Sequence, residues 1–382
     1  MWVRALAAAR HGSGVSAVSF AGGAVGGSAR RRGGGRARAK ALRIGSAAAC
    51  ALAVGGVVNG QDQRPAYCDA ESDQGDSLLS RLVFKGCDPL GMGTFGIVRM
   101  ATHLDHGEDI AVKIIDWSED THDMIEGEIE ALTKIQAMGG HENVVKYKCA
   151  LTQSKSPSKR SSPKPLVNES ERWLLFEHVE GRELFEKIFE EGPLEVDHVR
   201  SVLRQIHSAL RFLHEEARIA HGDLKPENLL IDDKSRVTLI DFGSAVPVSD
   251  AENKSLACSE NARFSIGTAA YCAPEILECG EEKLTTAIDI FSLGCITYAM
   301  ATGVHPFDKE GCRSNSAIMR AIVTDQVKFE GKQWEAQPKE LKDLLRRMLA
   351  KDPSQRITLK EMEEHPFLTQ RPARKMMWTS AL

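Results

Sequence analysis

The stretch His221-Gly-Asp-Leu-Lys-Pro-Glu-Asn228, followed by Asp241-Phe-Gly243, decides how this chain is interpreted. It brings two carboxylates, an ammonium and a carboxamide into one short span. Phosphoryl transfer needs such a set, because the transferred group is densely charged and the protein must hold a divalent cation, neutralise oxygens and aim a hydroxyl. Asn228 and Asp241 offer the hard oxygen donors that Mg²⁺ prefers. Asp223 is placed where a substrate hydroxyl could pass on its proton.

A glycine-rich string lies upstream, LGMGTFGIV at residues 90–98. The GxGxxG pattern alone is weak evidence, because dinucleotide-binding turns carry it too. Here an apolar strand ending in lysine follows (IAVK, residues 110–113), whereas a dinucleotide fold has a helix at once and an acid about twenty residues later. The pattern therefore favours a strand-turn-strand backbone lying close over phosphates at Gly91, Gly93 and Gly96.

Lys113 needs an anion to orient it. The segment DMIEGEIEALTKI, residues 123–135, carries apolar residues at helical spacing and predicts an amphipathic helix. Three glutamates on it could pair with the lysine: Glu126, Glu128 and Glu130. Spacing alone does not choose among them.

Taken together, these segments resemble the eukaryotic protein kinases, and further segments in the same order support the resemblance. They are GTAAYCAPE at 267–275, DIFSLG at 289–294 and DPSQR at 352–356. The kinase pattern Glu-Ile-x-x-Leu selects Glu128 as the partner of Lys113. In this family the acid corresponding to Asp289 supports the catalytic-loop backbone, and Arg356 pairs with Glu275.

The resemblance implies an α+β fold of two lobes, a β-rich N-lobe with one key helix and a mostly helical C-lobe. It places the kinase domain at residues 81–368, with the N-lobe at 81–179 and the C-lobe at 180–368. Residues 1–80 are expected to be a basic low-complexity extension, 153–170 an insertion in a strand-to-strand turn, and 369–382 a tail.

The resemblance also implies ATP and Mg²⁺ as cofactors and assigns the site residues. Asp223, Lys225, Lys113, Glu128 and Thr268 are expected to be catalytic, and Asn228 and Asp241 to hold the metal. The nucleotide is expected to contact Leu90, Gly91, Gly93, Gly96, Val98, Ala111, Lys113, Glu177, Val179, Glu183 and Leu230. Residues 177–179 are the expected hinge between the lobes.

Two features indicate serine or threonine as the acceptor: Lys225, two residues after the catalytic aspartate, and Thr268. The run VEGRELF at 179–185 is similar to the calcium/calmodulin-dependent kinase group. In such relatives the acid at Glu183 contacts the ribose and a substrate arginine three residues before the acceptor, and Glu227 assists. The resemblance thus predicts protein substrates with basic residues N-terminal to the target.

One position departs from the family. Where related kinases have His-Arg-Asp, this chain has His221-Gly222-Asp223. That arginine normally meets a phosphate on the activation segment, which is an electrostatic switch. Because glycine offers no charge, we expect activity that does not require phosphorylation of this segment, although Ser255, Ser259 and Ser265 could still be modified.

Charge is unevenly distributed along the 382 residues. Residues 1–61 contain nine Arg or Lys and no Asp or Glu, so the rest of the chain is markedly acidic. An acidic body favours cationic protein substrates over nucleic acid. We expect a cytoplasmic protein without membrane contact, but the apolar run at 44–58 leaves organelle targeting, a membrane anchor or simple disorder open for the N-terminal segment. The nine cysteines show no CxxC pair, which indicates reduced thiols.

Two other segments are open to more than one interpretation. The serine-, proline- and lysine-rich insertion could be a tolerated loop or a regulatory patch. The C-terminal RPARKMMWTSAL at 371–382 has the basic and apolar ingredients of a calmodulin-binding helix, but it is short and has a proline near its start.

Two rival functions remain. A catalytically silent scaffold would use the fold only for binding, but such relatives usually lack counterparts of Lys113, Asp223 or Asp241, and all three are present. A small-molecule kinase of similar fold is disfavoured by the intact Ala-Pro-Glu segment and Thr268, which build a peptide-docking surface.

Overall fold

A computed structural model describes residues 81–86, 88–92, 96–118, 121–154, 170–248, 269–278, 284–308 and 313–370. The predicted extension, most of the insertion, most of the C-terminal tail, Gly93, Thr268 and the three serines considered above lie outside the described residues. Among the described residues, no helix is both long and apolar enough to cross a membrane.

An antiparallel sheet forms the N-lobe. Its strands are β1 (Leu82–Phe84), β2 (Gly91–Met92), β3 (Gly96–His103), β4 (Glu108–Asp116), β5 (Tyr147–Ser154) and β6 (Ser170–Glu177). The order is β1-β3-β4-β6-β5, with β2 paired to the start of β3. The sheet thus places β3 directly beside β4, the strand that carries Lys113, with β2 on the other side of β3.

One helix, α1 (His122–Ala137), packs on this sheet and contains the whole predicted helical segment. Its buried face includes Ile125, Ile129 and Leu132, which recur at the three- and four-residue spacing of a helix. Glu128 lies on the same face, three residues after Ile125 and four before Leu132, and is only 1% exposed. The apolar periodicity therefore turns this carboxylate inward.

The largely apolar run at residues 144–147 is typical of a strand, but β5 begins only at Tyr147. Val144 and Val145 instead bond to the C-lobe: Val144 forms a parallel bridge with Leu239, whose carbonyl accepts from the Val145 amide at 2.9 Å. An apolar run can pair with strands of either lobe, so β-propensity alone does not predict that these residues contact the C-lobe.

The C-lobe is mostly helical. Its helices are α2 (Leu184–Glu191), α3 (Val196–Arg211), α4 (Pro274–Leu277), α5 (Ala287–Thr302), α6 (Asn315–Thr324), α7 (Lys332–Glu335), α8 (Lys339–Met348), α9 (Leu359–Glu364) and α10 (Pro366–Thr369). Helix α5 is buried nearly all round, as expected for a helix that is apolar on every face. It ends at Gly303, whose left-handed conformation (φ 74°) closes the helix.

Short strands carry the functional loops of the C-lobe. Strands β7 (Arg182–Glu183), β9 (Leu229–Ile231) and β10 (Val237–Leu239) form a small sheet in the order β10-β9-β7. Strands β8 (Ile219–Ala220) and β11 (Val246–Pro247) form an antiparallel pair. One apolar cluster runs from Val98 in the N-lobe to Leu345 in the C-lobe, so the expected two-lobed α+β fold is confirmed and has a continuous core.

A buried ion pair ties the last part of the C-lobe to helix α4. Arg356 donates to both carboxylate oxygens of Glu275, at 2.6 and 2.9 Å, and its guanidinium also reaches the carbonyls of Ala287 and Ala350. The arginine side chain is fully buried. Such a pair is costly to break, because removing one partner leaves a charge without compensation.

We therefore expect Arg356→Ala to lower the free energy of unfolding by about 3–5 kcal/mol. Arg313→Ala is the matched control, since Arg313 pairs with Asp325 through side chains that are both over 40% exposed; its loss should cost less than about 1 kcal/mol. Urea unfolding followed by circular dichroism measures both, and equal losses would contradict the assignment.

Candidate active site

The backbone of the predicted catalytic loop is held by one buried carboxylate. Asp289, near the start of α5, accepts hydrogen bonds from the amides of His221 (2.8 Å) and Gly222 (3.0 Å). His214 meets the same carboxylate at 2.7 Å. These bonds to the charged form outweigh burial and lower the pKa of Asp289. The backbone of the loop that carries Asp223 is therefore held in place by the ionised Asp289 carboxylate.

Three side chains of this loop converge. Lys225 donates to Asp223 Oδ2 at 2.5 Å, and Asn228 Nδ2 donates to the Asp223 carbonyl at 2.8 Å and to its Oδ2 at 3.3 Å. Lys225 is 5% exposed. Burial opposes its charge, but Asp223 raises the pKa of Lys225 above its ordinary value. An ammonium thus stays charged directly beside the predicted catalytic aspartate.

Asp241 comes from the next turn of chain and has a strained backbone. Its φ of 64° lies in the left-handed region, which a non-glycine residue rarely adopts and which is often found at functional sites. This conformation directs Oδ1 to Lys113 Nζ at 2.9 Å, across the cleft between the lobes. The residue before Asp241 is fixed as well, because the Ile240 amide donates to the Asn228 carbonyl at 3.0 Å.

Lys113 also meets Glu128, at 2.6 and 2.8 Å from the two carboxylate oxygens. The other two candidates on α1 do not take this position. Glu130 is exposed, and Glu126 lies 4.0 Å from the Arg172 guanidinium. The structure therefore brings Lys113, Glu128 and Asp241 together as one cation between two carboxylates.

Burial and the Lys113 ammonium have opposite effects on the pKa values of Glu128 and Asp241. Burial raises the pKa of Glu128, although Lys113 works against it. Burial also opposes the charge of Asp241, but the Lys113 ammonium prevails and lowers the pKa of Asp241 to about 2. Both carboxylates in turn raise the pKa of Lys113. At neutral pH, Lys113 and Asp241 are therefore fully charged.

Apolar residues from both lobes line the space above this cluster. Val98, Ala111 and Leu230 are buried in one apolar cluster, against which Leu90 and Val179 pack. Glu177 ends β6 and leads into the hinge, and its amide donates to the Lys146 carbonyl. Of the predicted nucleotide residues, Gly91, Val98 and Lys113 lie opposite one another on neighbouring strands of the N-lobe, and Glu183 lies opposite Leu230 in the C-lobe.

The structure shows a steric reason for glycine at position 96 (Gly96) that the sequence did not reveal. A Cβ there would lie 2.2 Å from the Ile114 carbonyl oxygen of the neighbouring strand. The glycine is needed for the close approach of β3 to β4, in addition to any contact with phosphate.

Glu183 and Glu227 are both buried, at 6% and 8% exposure. Glu183 pairs across the small sheet with Leu230, directly under the predicted nucleotide cleft. His214, by contrast, was missed from the sequence, because a histidine on an apolar helix carries no local signal of its partner. Its bond to Asp289 becomes visible only when the two helices are packed.

The donors present fit a magnesium ion. Asn228 is fully buried, and its Oδ1 has no hydrogen-bond partner among the described residues, so a strong acceptor faces the site without compensation. The bonds described for Asp241 use Oδ1. No group of three or more His, Cys, Asp or Glu in the described ranges forms a metal site. Two protein oxygens suffice for Mg²⁺, which usually completes its shell with phosphate oxygens and water.

Comparison with known proteins places this geometry in a family. The model of the protein kinase domain matches residues 84–368. The chain belongs to the protein kinase family. Serine/threonine-protein kinase PKZ1 of Phytophthora infestans is 32% identical over 312 residues, covering 76% of this chain and 71% of the relative.

Two further relatives agree. The maternal embryonic leucine zipper kinase of Xenopus tropicalis is 32% identical over 77% of this chain and 40% of its own length. The liver/testis gamma catalytic chain of phosphorylase b kinase from Rattus norvegicus is 29% identical over 78% and 70%. This chain is therefore a protein serine/threonine kinase, and its resemblance to the calcium/calmodulin-dependent group is confirmed.

The depressed pKa of Asp241 predicts a pH dependence of the kinase's stability. Because the folded-state pKa (about 2) lies below the ordinary 3.8, the stabilisation is complete above about pH 5 and is lost as the pH falls towards 2. It amounts to about 2 kcal/mol, of which about 1 kcal/mol is lost between pH 5 and pH 3.

Urea unfolding of the parent and of Asp241→Asn at both pH values isolates this contribution. The stability advantage of the parent over the variant should shrink by about 1 kcal/mol on acidification, because only the parent titrates at this position. An advantage that stays constant or grows would show that Lys113 does not hold the Asp241 charge.

Proposed function

We propose that this serine/threonine kinase transfers the γ-phosphoryl group of magnesium-bound ATP to serine or threonine hydroxyls of proteins, with a preference for basic residues before the acceptor. The observation that carries the proposal is the Lys113 ammonium bonded at once to Glu128 of α1 and to Asp241 of the C-lobe. Positioning and electrostatic stabilisation are what phosphoryl transfer requires of a protein.

The nucleotide is proposed to lie between the lobes. Val98 and Ala111 are proposed to lie above the adenine and Leu230 below it. All three are apolar and belong to the same buried cluster. The backbone of residues 177–179 borders the adenine edge. Lys113, oriented by Glu128, faces the α- and β-phosphates, where its charge neutralises oxygens before the reaction begins.

Asn228 and Asp241 are proposed to hold magnesium through oxygen atoms. The buried, uncompensated Oδ1 of Asn228 and the ionised carboxylate of Asp241 support this assignment. When bound there, Mg²⁺ would supply positive charge that neutralises the charge developing on the phosphate oxygens.

Asp223 is proposed to orient the acceptor hydroxyl and to take its proton late in the transfer. Lys225, held at 2.5 Å from Asp223, is proposed to neutralise the γ-phosphoryl oxygens as the bond to the leaving group lengthens. Thr268, which lies outside the described residues, remains proposed to support both residues from the substrate side.

Cationic substrates are favoured by the acids beneath the cleft. Glu183 and Glu227 are both buried in the C-lobe close to the catalytic loop, and a desolvated carboxylate interacts more strongly with an arginine than an exposed one does. Glu183 is therefore not a solvated surface side chain, and its burial supports the proposed preference.

Replacing Asp223 by Ala should lower kcat by about 10³-fold while the KM for ATP stays within about threefold, because the aspartate acts on the acceptor and not on the nucleotide. Asp233→Ala, an exposed aspartate in the same lobe, is the control and should keep the parent rate. Phosphate transfer from radiolabelled ATP to a degenerate peptide array measures the activity of the parent and of both variants. Unchanged transfer by the Asp223 variant would exclude the assigned role.

A pair of peptides that differ only in Arg or Ala three residues before the acceptor tests the substrate preference. We expect kcat/KM to be at least about tenfold higher for the arginine peptide, a typical value for one charge-assisted contact. Glu183→Gln should reduce this ratio, and Glu195→Gln, at an exposed position, should not. Equal rates for both peptides would leave a kinase without the proposed preference.

A further inference from the structure

The chain after Asp241 runs back along the catalytic loop and is bonded to it through the backbone. Strand β11 pairs antiparallel with β8, with Val246 opposite Ala220 and Pro247 opposite Ile219. Beyond the strand, the Val248 amide donates to the Arg218 carbonyl at 2.9 Å. Residues 244–248, the root of the segment that leaves the site, are therefore fixed to the residues that lead into Asp223.

Gly222 lies where these two stretches come closest. Its φ is 78°, in the left-handed region that favours glycine. A Cβ at this position would lie 2.2 Å from the Ser244 carbonyl oxygen and 3.2 Å from its carbonyl carbon. Real Cβ atoms do not approach other heavy atoms closer than 3.0 Å, and a backbone carbonyl cannot turn aside as a flexible side chain can.

The loop has no freedom to move away from this contact. The amides of His221 and Gly222 are both bonded to the buried Asp289 carboxylate. The next residue is Asp223, and Ser244 is only three residues beyond Asp241. Any side chain at position 222 must therefore displace the segment root or the loop, and either shift changes how Asp241 and Asp223 face each other.

We infer that Gly222 is a positioning residue: its missing side chain lets the Ser244 carbonyl pack against the catalytic loop, and this contact sets the relative placement of Asp223 and Asp241. The inference rests on the proposed function, since its kinetic test is phosphoryl transfer. The walls of the nucleotide cleft come mostly from the N-lobe and are not part of the contact.

The test compares Gly222→Ala with Gly303→Ala. Gly303 has nearly the same φ (74°), but its Cβ would meet only the Pro193 ring at an ordinary 3.4 Å. Both variants carry the same left-handed strain, and only Gly222→Ala adds the clash. We expect kcat of Gly222→Ala to fall at least about tenfold relative to Gly303→Ala, with the KM for ATP within about threefold.

Hydrogen exchange gives a second measurement that a general loss of stability does not imitate. The amides of Val246 and Val248 should exchange faster in Gly222→Ala than in Gly303→Ala, while those of helix α5 keep their protection. Equal kcat and equal exchange in the two variants would overturn the inference. Inactivity of the parent on every serine and threonine peptide would instead refute the proposed function, and the exchange comparison would still decide the contact.

If Gly222→Ala shows no cooperative melting, Val248→Pro takes its place. It removes the amide that bonds to Arg218 at the far end of the same segment and leaves the catalytic loop unchanged. A fall in kcat with an unchanged KM for ATP supports the inference, and a parental kcat overturns it.

Discussion

The Lys113 ammonium, shared between Glu128 and Asp241, is the interaction on which the rest of the site depends. It joins a strand, the helix α1 and the C-lobe, and the cation stands within 3 Å of both carboxylates. Glu128 is almost fully buried, and a carboxylate in that position is costly unless it is paired. The placement of α1 on the sheet is therefore coupled to the closure of the cleft.

The charges of the site are balanced for a bound polyanion and metal. Lys113 and Lys225 face the three carboxylates of Glu128, Asp223 and Asp241, so the cluster by itself has one negative charge in excess. A divalent cation at the proposed site of Asn228 and Asp241 would reverse that sign. The site would then favour phosphate oxygens only with the metal bound, which agrees with the buried Asn228 amide oxygen that has no hydrogen-bond partner among the described residues.

Much of this could be predicted from the sequence, where local pattern and function coincide. Helix α1 follows from its apolar spacing, whereas Glu128 was selected among three glutamates only by the kinase pattern; the structure adds that it shares a buried face with Ile125 and Leu132. The bridge between Val144 and Leu239 could not be predicted, because Leu239 lies in the other lobe. The bond between His214 and Asp289 was hidden for the same reason. The sequence does not show which residues distant along the chain an apolar or polar residue will contact.

Gly222 shows this limit most clearly and also has a consequence for regulation. From the sequence it is a missing charge; in the structure it is a missing volume, filled by the Ser244 carbonyl. An arginine–phosphate link responds to a modifying enzyme, whereas contact between two backbones does not. We therefore expect a segment root held by packing to keep Asp241 in place irrespective of phosphorylation.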